Sequence, residues 1–304
     1  MKPASLIGTL ATFAILASPL RAEVRMQNAI GSEVLGRPVG YSVYLPPGYG
    51  RDRRDYPVLY LLHGGGTGQP SDWFTLAGID QMLDRMIADG QIRPLIAVAP
   101  DGRRDEANVV ATYFLDDANG ETLWRTMFLT EFIPAIEQKY PTIGSGDGRA
   151  VLGISMGAVA GIVYQLHEPT MFAGVAALSP AFRTDAQLLA LSDEGYAARY
   201  EGVLGAGLTG PARMNDIWEA LRPSTLTAGA DTARLGRIPR IWIDIGADDP
   251  FFEGAADLHV ALRDAGVVHD FTVTRGGHDW PFWRGALQDA LVHVDAVLTR
   301  GYGE

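Results

Sequence analysis

Short apolar runs punctuate the chain at 58–62, 95–99, 150–154, 174–178, 241–245 and 271–274. Each is too short for a helix, and apolar residues on consecutive positions predict strands buried on both faces. Helical patterns lie between most of them, at about 78–89, 122–140, 156–167 and 254–266, with a last one at about 282–299. Strands alternating with helices require crossover connections, so the pattern predicts an α/β chain: a mainly parallel central sheet with helices on both faces. Tyr41-Ser42-Val43-Tyr44-Leu45 alternates instead and stops at Pro46-Pro47, which predicts an antiparallel strand at the entry side of the sheet. No internal repeat or low-complexity linker interrupts the order. The stretch 181–240 is too long for a simple connection and reads as an insertion that either covers a cleft or pads the surface.

Gly153-Ile154-Ser155-Met156-Gly157 stands between a strand-like run and a helix-like run without proline. A serine on so sharp a turn projects its hydroxyl clear of the sheet, and small neighbours let backbone and helix approach closely enough to form it. Ser155 is therefore the candidate nucleophile. It needs a base, a group that orients the base, and donors aimed at a developing oxyanion. Of six histidines, His278 follows the last strand-like run in Arg275-Gly276-Gly277-His278-Asp279-Trp280, on a glycine-flanked loop where parallel sheets bind ligands. His167, His259 and His293 fall in or at the ends of helical patterns, and His269 begins a strand. The acid is expected between serine and histidine in chain order, at the turn Gly246-Ala247-Asp248-Asp249-Pro250, where the two aspartates compete because neighbours cannot both face one imidazole. The backbone N–H of Met156 supplies one oxyanion donor, and His63-Gly64-Gly65-Gly66, directly after 58–62, suits the other. His63, Gly64, Trp280 and Trp283 are expected at the substrate.

Composition narrows the setting. Met1-Lys2, an apolar run at 6–17 and Ser18-Pro19-Leu20-Arg21-Ala22 read as an export signal of residues 1–22, too short in its apolar part to anchor in a bilayer. The remainder, 23–304, is expected to be one catalytic domain, periplasmic or secreted. The chain has no cysteine, which excludes disulfides, thiolate catalysis and thiolate metal sites. Without residues 1–22 there are 23 basic and 36 acidic residues, a net charge of −13 that argues against nucleic acid or anionic membrane as partner. Metal-ligand spacing, a phosphate-cradling loop and a dinucleotide fingerprint are missing from the sequence, so a cofactor-free enzyme acting on a small-molecule or carbohydrate ester is expected.

Several motifs together resemble the esterase branch of the α/β-hydrolases that includes S-formylglutathione hydrolase (esterase D), feruloyl and acetylxylan esterases, siderophore esterases and mycolyltransferases. They are Tyr44-Leu45-Pro46-Pro47-Gly48-Tyr49, Pro57 to Gly65, Asp72-Trp73-Phe74, Phe132 to Glu137, the turn at Ser155 and Gly277-His278-Asp279-Trp280. The resemblance, over about 36–299, implies an α/β-hydrolase fold and a serine ester hydrolase working through an acyl-enzyme. Acyl transfer of the mycolyltransferase kind, or siderophore ester hydrolysis, is the alternative. It also implies Asp249 rather than Asp248 as the acid and Gly65 as the second oxyanion donor. Asp279-Trp280-Pro281-Phe282-Trp283 and the apparent export signal depart from the esterase D pattern, against a glutathione thioester and toward acyl or aroyl esters of carbohydrates or similar polyols.

Overall fold

Eight strands form one sheet: β1 (Glu23–Ile30), β2 (Val39–Leu45), β3 (Val58–Leu62), β4 (Ile96–Pro100), β5 (Arg149–Ile154), β6 (Gly174–Leu178), β7 (Ile241–Gly246) and β8 (His269–Thr274). The computed structural model describes residues 21–300 apart from residue 52 and residues 237–239. The expected export signal thus lies outside the described residues, save Arg21 and Ala22, which precede β1. The strand order is β1-β2-β4-β3-β5-β6-β7-β8. β2 runs antiparallel to β1 and β4, and every pair from β4 to β8 is parallel. The antiparallel entry strand and all six runs are present as strands within a few residues of their expected limits, but the last, β8, is an edge strand with no buried residue, because only β7 pairs with it.

β3, β4, β6 and β7 are buried at every position, as β5 is beyond Arg149, which is why they show no polar alternation. One face, with Tyr60, Val98, Val151 and Ile243, meets the helices Met156–His167 and Phe252–Asp264. The other, with Leu59, Leu61, Ala97 and Leu152, meets Ile79–Ala88 and Trp280–Arg300. β1 escaped the sequence reading: it is an edge strand, mostly exposed, with a register shift between Arg25 and Asn28 where Gln27 adopts φ +59°. The helix expected at 122–140 is Trp124–Met127 and Ile133–Lys139 joined by a π-helical turn, Phe128–Phe132. Pro134 has no N–H for the α ladder, which accounts for a loosened turn directly before it.

The insertion folds into short helices, among them Asp185–Leu189, Asp193–Leu204, Asp216–Leu221 and Pro223–Ala228. A Thr184–Gln187 capping box starts the first, and Asp185 ties it to the third by accepting from Trp218 Nε1 (2.8 Å) and Arg222 Nε (2.9 Å). Tyr200 of the second stacks on Tyr113 at 5.1 Å, so the insertion stands over the C-terminal ends of β5 and β6 and walls a cleft. Among the described residues no helix is long and apolar enough to cross a membrane.

Candidate active site

Ser155 joins β5 to the helix Met156–His167 with φ +54° and ψ −113°, a conformation costly for a side chain other than glycine. Two close approaches sustain it. A Cβ on Gly153 would collide with the backbone of Gly157, and one on Gly157 with the carbonyl of Leu62 in β3. The Ser155 N–H also donates to the Leu178 carbonyl at 2.9 Å, pinning the turn to β6.

Three loops at the C-terminal ends of β5, β7 and β8 bring Ser155, Asp249 and His278 together. His278 Nε2 lies 2.9 Å from Ser155 Oγ, and its Nδ1 lies 2.8 Å from Asp249 Oδ2. The Asp249 side chain is wholly buried, and its other oxygen accepts the Phe251 N–H at 2.9 Å. Burial pushes this carboxyl up, but the bonds from His278 and the Phe251 N–H outweigh it and hold the group below the ordinary carboxylate value. A charged Asp249 keeps the proton on Nδ1 and turns the Nε2 lone pair toward the serine hydroxyl. Asp248 is exposed, and its backbone N–H donates to Gly276 at 2.9 Å, locking the acid's turn onto the histidine's loop. Of the two competing aspartates, Asp249 is the one that reaches the ring.

The ring of His278 stands between Phe251, 4.8 Å away, and Trp283, 5.0 Å away, both edge-to-face. Trp283 is 8% exposed and donates through Nε1 to Ser179 Oγ at 3.0 Å. It lines the cleft and also braces His278. Trp280 is half-buried, lines the cleft and packs edge-on against Trp283 at 5.1 Å. Gly64 and Gly65 lie beside Ser155: a Cβ on Gly64 would stand 3.6 Å from Ser155 Cβ, and one on Gly65 3.6 Å from Met156 Sδ. Their loop thus runs alongside Ser155 and Met156.

His63 does not belong at the substrate. It is fully buried; Nε2 accepts the Gly102 N–H at 3.0 Å, so Nδ1 carries the proton and donates to the Gly64 carbonyl at 2.7 Å. Burial depresses its pKa, and the neutral ring splints the glycine loop to the loop after β4. The expectation fails because a histidine ending a central strand points into the core, where both nitrogens already have partners. Sequence reasoning also missed Ser179, Tyr113 and Arg183, which sit in loops without a periodic or motif signal.

The cleft has two lobes that share Gly65, Ser155 and His278. One, about 620 Å³, includes Thr67, Gln69, Asp72 and Trp280; the other, about 440 Å³, includes Asn108, Tyr113, Met156, Arg183 and Phe251. A groove of about 740 Å³ between Pro223–Ala228 and Phe252–Asp264 contains neither Ser155 nor His278.

Sheet order, crossover helices and a strained serine at the end of a central strand define an α/β-hydrolase fold. Residues 32–294 match the family described as Putative esterase, and the chain belongs to that family. Among curated relatives it is 30% identical over 262 residues to an esterase of Mycobacterium tuberculosis, a match covering 81% of this chain and 54% of that one. It is 31% identical over 152 residues to an endo-1,4-beta-xylanase/feruloyl esterase of Xylanibacter ruminicola, covering 48% of this chain and 20% of that one. The match thus spans about half the length of the first relative and a fifth of the second. A solved ferulic acid esterase superposes with a TM-score of 0.76 at 28% identity, covering 92% of this chain and 99% of that one.

Proposed function

We propose that this chain is an exported serine carboxylic ester hydrolase acting on acyl or aroyl esters of carbohydrates or similar polyols. The observation that carries the reading is the unbroken relay Ser155 Oγ, His278, Asp249, with links of 2.9 and 2.8 Å. Ser155 Oγ attacks the ester carbonyl as His278 Nε2 takes its proton, and Asp249 steadies the imidazolium. The negative charge on the former carbonyl oxygen is received by the backbone N–H groups of Gly65 and Met156. The intermediate collapses, the alcohol leaves with the proton from His278, and an acyl-serine remains. Water, deprotonated by His278, then releases the carboxylic acid and restores the hydroxyl.

The Trp280 face in the larger lobe supports the substrate class, since indole rings stack well on sugar and aryl faces. The feruloyl activity in the names of the Xylanibacter enzyme and the solved neighbour points the same way. Residues 23–304 form one catalytic domain in this reading, and residues 1–22 direct export.

The test is a panel of acetyl, butyryl, long-chain and feruloyl esters with the purified protein. Ser155→Ala should lose on the order of 10⁶ in kcat while keeping its fold, and a fluorophosphonate should label only the wild type. Full activity in the alanine variant ends the serine reading. Trp280→Ala should erode the preference for carbohydrate-linked or feruloyl esters over simple ones by about 10- to 200-fold. N-terminal sequencing of exported protein should begin after Ala22; retention of 1–22 on a cytosolic product removes the export claim.

A further inference from the structure

The two lobes flanking Ser155 and His278 carry opposite charge. The larger is lined by Asp72 and Asp279 and by no lysine or arginine. Its acids are held in place, Asp72 Oδ2 by the Gln69 N–H and Asp279 Oδ1 by the Phe282 N–H, each at 3.0 Å. The smaller is lined by Arg183 and Arg199 and by no carboxylate.

In a chain with eleven more acids than bases, arginines that face a cleft without a carboxylate partner need a reason. Arg103, Arg104, Arg149, Arg213 and Arg222 all form ion pairs. Among the described residues neither Arg183 nor Arg199 has a carboxylate within ion-pairing distance, and Arg199 donates only to the Gly195 carbonyl at 3.3 Å. The Arg183 guanidinium lies over the Phe251 ring, 4.6 Å from its centroid, and within hydrogen-bonding reach of the Tyr113 and Tyr200 hydroxyls, while its Nε is buried without a hydrogen-bond partner. A buried N–H left without an acceptor is costly, and an arginine fork matches a carboxylate bidentately. Phe251 in turn touches His278, so an anion held by Arg183 sits one aromatic ring from the reacting base. Val109, Ala111, Met156 and Ala181 line the space between with apolar surface.

We propose that this lobe selects esters whose occupying half ends in a carboxylate at Arg183 and Arg199. The inference rests on Ser155 being the nucleophile and adds the charge of the substrate. The carboxylate could belong to the acyl half, a hemiester of a dicarboxylic acid, or to the alcohol half, a uronic acid ester.

Two matched pairs separate these sources: 4-nitrophenyl hexanoate against the mono-4-nitrophenyl ester of adipic acid, and feruloyl methyl glucoside against feruloyl methyl glucuronoside. The anionic member of one pair should be preferred in kcat/KM by roughly 10- to 100-fold, the range of a hydrogen bond to a charged group. That ratio should fall in Arg183→Gln, less steeply in Arg199→Gln, and with added salt. Taking the ratio within each variant cancels any general loss of activity. A ratio near one for both pairs in the wild type, or a ratio untouched by both substitutions, overturns the proposal, while Ser155-dependent turnover of the neutral esters leaves the hydrolase reading standing. If the wild type cleaves none of these esters, the hydrolase reading fails. Calorimetric titration of Ser155→Ala with monomethyl adipate and methyl hexanoate, which differ only in the terminal carboxylate, then tests the lobe alone: tighter monomethyl adipate binding that is lost on adding Arg183→Gln supports it, and equal binding overturns it.

Discussion

Asp249→Asn isolates the step from geometry to catalysis. The native carboxylate accepts two donors at once, His278 Nδ1 at 2.8 Å and the Phe251 N–H at 2.9 Å, in a side chain with no exposure to water. An amide has one oxygen for those two donors. If it faces Nδ1, the amide NH₂ meets the Phe251 N–H, donor against donor, at a cost of about 1–3 kcal/mol. If it faces Phe251, the NH₂ confronts Nδ1, the ring proton shifts to Nε2, and Ser155 loses its base. The second arrangement satisfies every buried donor, so the wrong tautomer should dominate and kcat should fall by about 10⁴, roughly 5 kcal/mol of barrier. Asp248→Asn should cost far less, because Asp248 is exposed and contributes its backbone N–H rather than its carboxylate. Initial rates on an activated ester, normalised to correctly folded protein by circular dichroism, measure both. Reversed sensitivities, or near-native kcat in a folded Asp249→Asn, would refute the assignment.

Gly65→Pro removes the proposed second oxyanion donor and should lower kcat by about 10² to 10³; a folded variant with near-normal kcat moves the donor elsewhere in 64–67. Gly157→Ala drives a Cβ into the Leu62 carbonyl and should destabilise by about 1–3 kcal/mol, with an unchanged urea midpoint counting against the close-approach account of the serine turn. Burial, with a smaller contribution from Asp289, pushes the Asp244 carboxyl up to about 6, and its Oδ1 has no hydrogen-bond partner among the described residues. The folded state therefore loses stability as pH rises from about 4 through 6 and the buried group ionises. Asp244→Asn should raise Tm at pH 8 and change it little at pH 4; equal shifts at both would contradict this.

Central strands, the serine turn and the loop histidine were legible in sequence because their causes are local. Strands buried on both faces are apolar at nearly every position, Asp244 of β7 being the exception, and a serine held at φ +54° demands glycines two residues to either side. The polar edge strand β1 was not legible, since an exposed edge imposes no pattern. The residues of the cleft divide along the same line. Local sequence narrowed the acid to neighbouring aspartates, and family resemblance preferred one, but only the register that sets β7 beside β8 turns Asp249 inward and leaves Asp248 in solvent. His63 looked like a substrate contact until the Gly102 N–H, 39 residues away, proved to occupy its free nitrogen. Trp283 became a brace for His278 through a serine 104 residues earlier. The opposite charge of the two lobes has no counterpart in the linear order, because Arg183 and Arg199 belong to the insertion while Asp72 and Asp279 come from opposite ends of the chain. Periodicity and steric demand are properties of a few consecutive residues and can be read from them; the partner of a polar side chain is set by which strands lie side by side, and that is decided only when the sheet closes over its core.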